Sequence, residues 1–289
     1  MWEMGEVMMA MPLEEKVKYE QGNSGCSFGY KAAGANATDE YGNVDSVEFL
    51  NVAKDDVLAR PNIAHRIYAP SVEERMHVIR TFVEASETIQ RTLIDLMSDR
   101  LGLPKDVLRE KHKLSERSGS EARITKNPPM TMSKEQVALG EHTDFGSLSF
   151  LHNILGGLQV LPPGTKDWQF VKPLSGHAIC NIGDALTIYS GGILRSSHHR
   201  VIPPPGDQSK FPRWSLVYFL RPTSTAILEP LTQSPIIAEA AQKNKINVGE
   251  NVTAGDWHAR RVRNRRVANR TGPETWKASR GTEFVLGAV

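Results

Sequence analysis

The chain has 289 residues, enough for one large domain or two small ones. Its 39% apolar and 24% charged content is ordinary for a globular protein, and a net charge of +2 supplies no field that would demand nucleic acid or an anionic membrane as a partner. No apolar run approaches the roughly 20 residues that a membrane-spanning helix needs. Glu3 and Glu6 stand near the start, where a secretory signal would be basic. Cys26 and Cys180 are too few for a disulfide framework, so the expected setting is the cytosol.

Residues 1–19 read as a short helix, and residues 20–70, rich in Gly, Asn and Asp, as loop with one strand. Next comes a clear helical pattern. Val72, Met76, Ile79, Phe82, Val83, Ile89, Leu93, Leu96 and Met97 recur at three-to-four spacing, forming one apolar stripe with a charged face opposite. Ser71 and Glu74 form a capping-box pattern at its start, and Gly102 and Pro104 mark its end. From about 121 to 229 the pattern changes to short strands between turn residues: SLSFLHNI, LQVL, WQFV, HAICNI, ALTIY, SSHHRVI and RWSLVYFL. Such a series indicates a β-barrel or sandwich. The tail TAGDWHARRVRNRRVANR is helical, with Trp257, Val262 and Val267 for packing. Its arginines are expected to form a solvated face rather than a nucleic-acid surface.

The chemistry starts in LGEHTDFGSLSFL, where His142 and Asp144 lie two residues apart and so project from one face of a strand. Alone, this pair fits a buried hydrogen bond better than it fits two metal ligands. Downstream, His198 and His199 are adjacent, so only one of them can face the same interior, and strand parity does not choose between them. Two histidines and a carboxylate with open positions beside them form the facial triad of non-haem Fe(II) oxygenases. In RWSLVYFL, Arg213, Ser215, Val217 and Phe219 share one face. A guanidinium on an interior face needs an anion, either a protein acid or the carboxylate of a ligand, and the neighbouring hydroxyl suits the latter. His152 and His177 are expected to be structural histidines, and Cys180 a small core residue.

These segments resemble the 2-oxoglutarate/Fe(II)-dependent dioxygenases of the isopenicillin N synthase-like group, fungal type. HTDFGSLSFL, GGLQVLPPG, NIGDALTIYSGG, SSHHRV and RWSLVYFLRP follow that family's order across nearly the whole chain. The resemblance implies a mainly β fold with flanking helices, a double-stranded β-helix (jelly-roll) barrel backed by one long helix. It implies one domain, with an N-terminal helical and loop region over 1–120 that includes a substrate-side lid, a core over 121–229 and a helical extension over 230–289. The family's Ser-x-x-His-Arg-Val pattern selects His199, so the implied metal ligands are His142, Asp144 and His199. Arg213 and Ser215 would hold the far carboxylate of 2-oxoglutarate, and Phe145, Phe28 and Tyr30 would border the substrate, unless Gly146 turns Phe145 away.

The implied cofactors are Fe(II), 2-oxoglutarate and O2. The implied reaction is hydroxylation, desaturation or ring closure of a small organic, secondary-metabolite substrate with release of succinate and CO2. No side-chain acid or base is required, and neither nucleic acid nor membrane is an expected partner. Two departures stand out. The chain begins after the Gly-Phe-Phe…Asn-His-Gly segment of many relatives, and Thr125 and Asn127 occupy the usual Asn-x-Tyr positions, so a tyrosine contact to the co-substrate is missing. Three alternatives remain on sequence alone: an iron oxidase that does not use 2-oxoglutarate, a non-catalytic jelly-roll subunit, and, from the arginine-rich tail, a nucleic-acid demethylase.

Overall fold

A computed structural model describes residues 1–59, 66–129, 138–162 and 164–282. Its strands are β1 (Gly29–Lys31), β2 (Glu48–Ala53), β3 (Glu121–Asn127), β4 (Leu139–His142), β5 (Leu148–Asn153), β6 (Leu158–Leu161), β7 (Gln169–Phe170), β8 (Ile179–Ile182), β9 (His198–Val201) and β10 (Arg213–Leu220). They form two antiparallel sheets, one in the order β1-β2-β3-β10-β5-β8 and the other β4-β9-β6-β7. This is a jelly roll flanked by helices, with the sheets open rather than closed into a barrel among the described residues. β10 is central in the larger sheet and covered on both faces, which is why its sequence reads as an almost unbroken apolar run.

The long helix Met76–Arg100 covers the outside of that sheet. Met76, Ile79 and Val83 pack in one core with Ala122 and Ile124 of β3 and Tyr218 of β10. The stripe is more polar than its spacing predicts. Glu87 and Gln90 are buried because they serve Tyr218: its hydroxyl donates to Glu87 Oε1 at 2.6 Å, and Gln90 Nε2 donates to its carbonyl at 3.3 Å. Ile89 and Leu96, expected in the stripe, are exposed.

Four other expectations are corrected. The capping box at Ser71 does not form. Pro70, with its fixed φ and missing N–H, starts a one-turn helix Pro70–Glu73, which leaves Ser71 inside the turn; the backbone breaks at Arg75 before the long helix begins. ALTIY is not a strand but belongs to the helix Asp184–Tyr189, buried at every position, so its sequence carries no period to distinguish the two. The loop-rich start holds two strands, β1 and β2, rather than one. The tail helix Ala254–Arg265 does not present a solvated arginine face throughout, since Arg261 is fully buried against Asp184 and Thr143, and Arg266, just beyond it, reaches Glu20 and Asn23. These guanidiniums fasten the C-terminal segment to the body because buried acids and carbonyls await them.

Candidate active site

His142 ends β4 directly opposite His199 on β9, so the ladder sets the two imidazoles side by side with ring centroids 4.3 Å apart. Asp144 lies just past the strand end, its Oδ1 3.6 Å from His199 Nε2 and 3.9 Å from His142 Nε2. One donor atom from each of the three lies within 4.8 Å of the others, close enough for a single ion to join them. His142 Nδ1 sits 2.8 Å from the Gly140 carbonyl and His199 Nδ1 3.1 Å from that of Ser197. A carbonyl can only accept, so both Nδ1 atoms carry the proton and both Nε2 lone pairs face the gap. Asp144 Oδ2 accepts from Ser149 Oγ at 2.5 Å and Asn181 Nδ2 at 2.8 Å, which leaves Oδ1 for an ion. Such outer partners fix the orientation of ligands before a metal arrives.

Electrostatics favour the same state. Burial, followed by the charges of His199 and Arg265, holds His142 well below the ordinary imidazole range. Burial pushes the Asp144 carboxyl up, but His199, Ser149 and Asn181 more than offset it and the group stays below its usual value. His198 points the other way and pairs with Glu141 at 2.5 Å, so the geometry agrees with the motif in selecting His199.

A cavity of about 340 Å³ opens between the sheets in front of this triad. Arg213, Ser215, Val217 and Phe219 all line it, as the alternation of β10 requires. Arg213 is 2% exposed; its Nε donates to the Gly156 carbonyl at 2.7 Å and its Nη1 to Ser215 Oγ at 2.7 Å, while Nη2 is buried with no partner. Among the described residues no carboxylate pairs with it. Burial pushes its pKa down to about 10. A buried fork with one unmet donor, facing a cavity that also holds two imidazoles and a free carboxylate oxygen, fits a ligand with an anionic end and a metal-chelating end. That description suits 2-oxoglutarate on Fe(II).

The three substrate-side candidates fall elsewhere. Phe145 lies beneath the Arg261 guanidinium, 3.9 Å from its ring centroid, because the chain turns at Gly146. Tyr30 is in the outer core, its hydroxyl on Glu48 at 2.8 Å, and Phe28 is buried away from the cavity lining. Cys180 is no core residue: β8 is an edge strand, and the thiol is exposed where it borders the cavity. His177 is also exposed, and His152 sits edge-on to Phe82 and Phe150. The cavity wall also includes β2 and β3: Thr125 and Asn127, at the positions singled out above, and Phe49 and Arg123, which sequence reading missed. The alternation R-x-T-x-N was the available signal, since β3 pairs with β10 and its inward residues follow from that register. Asn127 lies opposite Arg213 with a buried Oδ1 that has no partner, so an amide stands where the family's tyrosine would be.

Comparison with known proteins agrees with this geometry. The 2OG-Fe(II) oxygenase superfamily profile matches residues 120–222. The 2-oxoglutarate-dependent dioxygenase frbH of Dothideomycetidae sp. is 30% identical over 249 residues, covering 86% of this chain and 70% of that protein. The 2-oxoglutarate-dependent dioxygenase iboH of Amanita muscaria is 31% identical over 172 residues, 59% of this chain and 84% of that protein. Among solved structures, a full-length Neurospora crassa protein in complex with alpha-KG and 5-formyluracil superposes with a TM-score of 0.73 at 20% identity, covering 91% of this chain and 80% of that one. The chain belongs to the 2OG-Fe(II) oxygenase superfamily, among its fungal 2-oxoglutarate-dependent dioxygenases. Its cofactors are therefore Fe(II), 2-oxoglutarate and O2.

Proposed function

We propose that this dioxygenase oxidises a small organic substrate of the secondary-metabolite kind, by hydroxylation, desaturation or ring closure, with His142, Asp144 and His199 as iron ligands and Arg213 and Ser215 as the co-substrate clamp. The observation that carries the assignment of residues is the single cavity shared by a preoriented His-Asp-His set and a buried guanidinium with an unmet donor. Iron and 2-oxoglutarate, when bound, supply the activation of O2 that breaks a substrate C–H bond.

The protein's contribution is placement. The Gly140 and Ser197 carbonyls hold the imidazole tautomers, and Ser149 and Asn181 hold the carboxylate. Arg213 fixes one end of the co-substrate, and Leu139, Leu151, Leu158, Val160 and Val201 keep the walls dry. No side chain need exchange a proton with the substrate. Anaerobic titration with Fe(II) and 2-oxoglutarate tests this: a weak visible charge-transfer band is expected in the wild type, together with O2-dependent succinate release. His142→Ala and Asp144→Ala should lose iron, and Arg213→Ala should lose the band at ordinary co-substrate concentrations. Unchanged iron affinity in both triad variants would refute the metal assignment.

A further inference from the structure

Arg123 is a second guanidinium on the cavity wall, and nothing above uses it. It stands opposite Val217, four residues along β10 from Arg213, so the two backbone positions are about 13 Å apart along one wall. Its plane is held between two aromatic rings, 4.1 Å from the centroid of Phe49 and 4.8 Å from that of Phe219, and both rings also line the cavity. Nε donates to Asn51 Oδ1 at 2.7 Å and Nη2 to Glu121 Oε1 at 3.0 Å. Nη1 has no partner among the described residues, and the side chain keeps 19% of its surface accessible.

The surroundings are short of negative charge. Glu121 Oε1 is shared between Arg123 and Arg221, and Asp184 is taken by Arg261. Arg265, above the Phe145 ring, has no ion pair among the described residues, and Asp45 is engaged by Lys31. Four guanidiniums thus face two carboxylates. Burial, then the charges of Arg261, Arg280 and Arg123, pushes Arg265 down to about 9. Loading the far end does not cancel this excess. Fe(II) with Asp144 adds one positive charge, and doubly charged 2-oxoglutarate beside Arg213 adds one negative.

We infer that Arg123 binds a carboxylate on the substrate, so that the enzyme oxidises a small, largely apolar acid held by its anionic end between Phe49 and Phe219. The apolar body then runs past Val47 and Val217 toward the triad, while 2-oxoglutarate occupies the Arg213 end. This inference rests on the dioxygenase reading and extends it to the substrate class.

The test uses wild-type enzyme loaded anaerobically with Fe(II) and saturating 2-oxoglutarate, so that the Arg213 site is filled. Phenylacetate, 3-phenylpropanoate and 4-phenylbutanoate are titrated calorimetrically, each beside its neutral amide. At least one acid is expected to bind about tenfold or more tightly than its amide, the value of one charge-assisted hydrogen bond. Arg123→Gln should abolish that preference while 2-oxoglutarate affinity stays within about twofold of wild type, and Arg123→Lys should keep part of it. If no acid outbinds its amide in the wild type, or if Arg123→Gln keeps the preference, the inference is wrong. The wild-type comparison decides even if the variant does not fold. Absence of the charge-transfer band in the loaded wild type is a separate outcome, and refutes the dioxygenase reading instead.

Discussion

Replacing Arg213 with methionine should separate binding from stability. In the free protein the guanidinium is buried with one donor unmet, and burial pulls its pKa from the ordinary guanidinium value down to about 10. At 1.36 kcal/mol per unit, holding the charge there costs on the order of 3 kcal/mol. Methionine removes that cost along with two hydrogen bonds, to Gly156 and Ser215, worth about 1 kcal/mol each. The two effects nearly cancel. Urea denaturation of the apo-protein should therefore show a change of less than about 1 kcal/mol, or a gain. Co-substrate binding should behave differently, because a charge-assisted fork to a carboxylate is lost outright. About 3 kcal/mol corresponds to roughly a hundredfold rise in the 2-oxoglutarate Kd, read from the charge-transfer band, with Fe(II) affinity unchanged. A Kd within threefold of wild type would refute the carboxylate role. A loss of more than about 2 kcal/mol in the apo-protein would refute the claim that this cation is waiting for a ligand.

Asn181→Ala and Ser149→Ala each free one bond to Asp144 Oδ2 and should weaken Fe(II) binding about 10- to 100-fold in an anaerobic titration. Gly140→Ala should destabilise the fold by more than about 2 kcal/mol in urea and also weaken iron binding. Its Cβ would meet the Thr38 carbonyl oxygen at 2.1 Å, and any shift moves the carbonyl that orients His142. His112 is fully buried between the Leu108 carbonyl at 2.8 Å and Ser147 Oγ at 2.7 Å, and burial lowers its pKa to about 4. The unfolded chain binds this proton first, so stability falls as pH drops from about 6.5 toward 4, by on the order of 3 kcal/mol. The difference between wild type and His112→Gln in denaturation at pH 7 and pH 4.5 isolates that contribution.

The triad and the Arg213-x-Ser215 pair were legible in the sequence because they are short, local patterns on strands whose period is two. What failed was whatever is decided by a neighbour or by burial that the pattern itself does not show. Ser71 looked like a cap until Pro70 took the first helical position. The all-buried Asp184–Tyr189 has no exposed face to give it a period. The arginine tail looked solvated because Asp184, its buried counter-charge, lies 77 residues before Arg261. The aromatic pocket candidates failed for the same reason. Phe145, Phe28 and Tyr30 have neighbours set by packing, and adjacency to a motif says little about which way a ring turns.

Register also sets how far apart this scaffold holds its two cavity-facing guanidiniums. On β10, Arg213 and Ser215 face one stretch of the cavity; on β3, Arg123 faces another, and Asn127–Arg213, Thr125–Ser215 and Arg123–Val217 are cross-strand neighbours in turn. The pairing is held from outside, where Tyr218 is fixed by Glu87 and Gln90 of the long helix, so a slip by one residue would break those bonds and turn every inward group out. Within a fixed register, a change at position 123 leaves Arg213 in place, since about 13 Å and three intervening rungs separate them. Under the proposed assignment, selectivity for the substrate changes on β3 while β10 keeps the co-substrate. Asn127 and Thr125 are the β3 residues at the Arg213–Ser215 end, and the free amide oxygen of Asn127 and the unmet donor of Arg213 lie on one rung there.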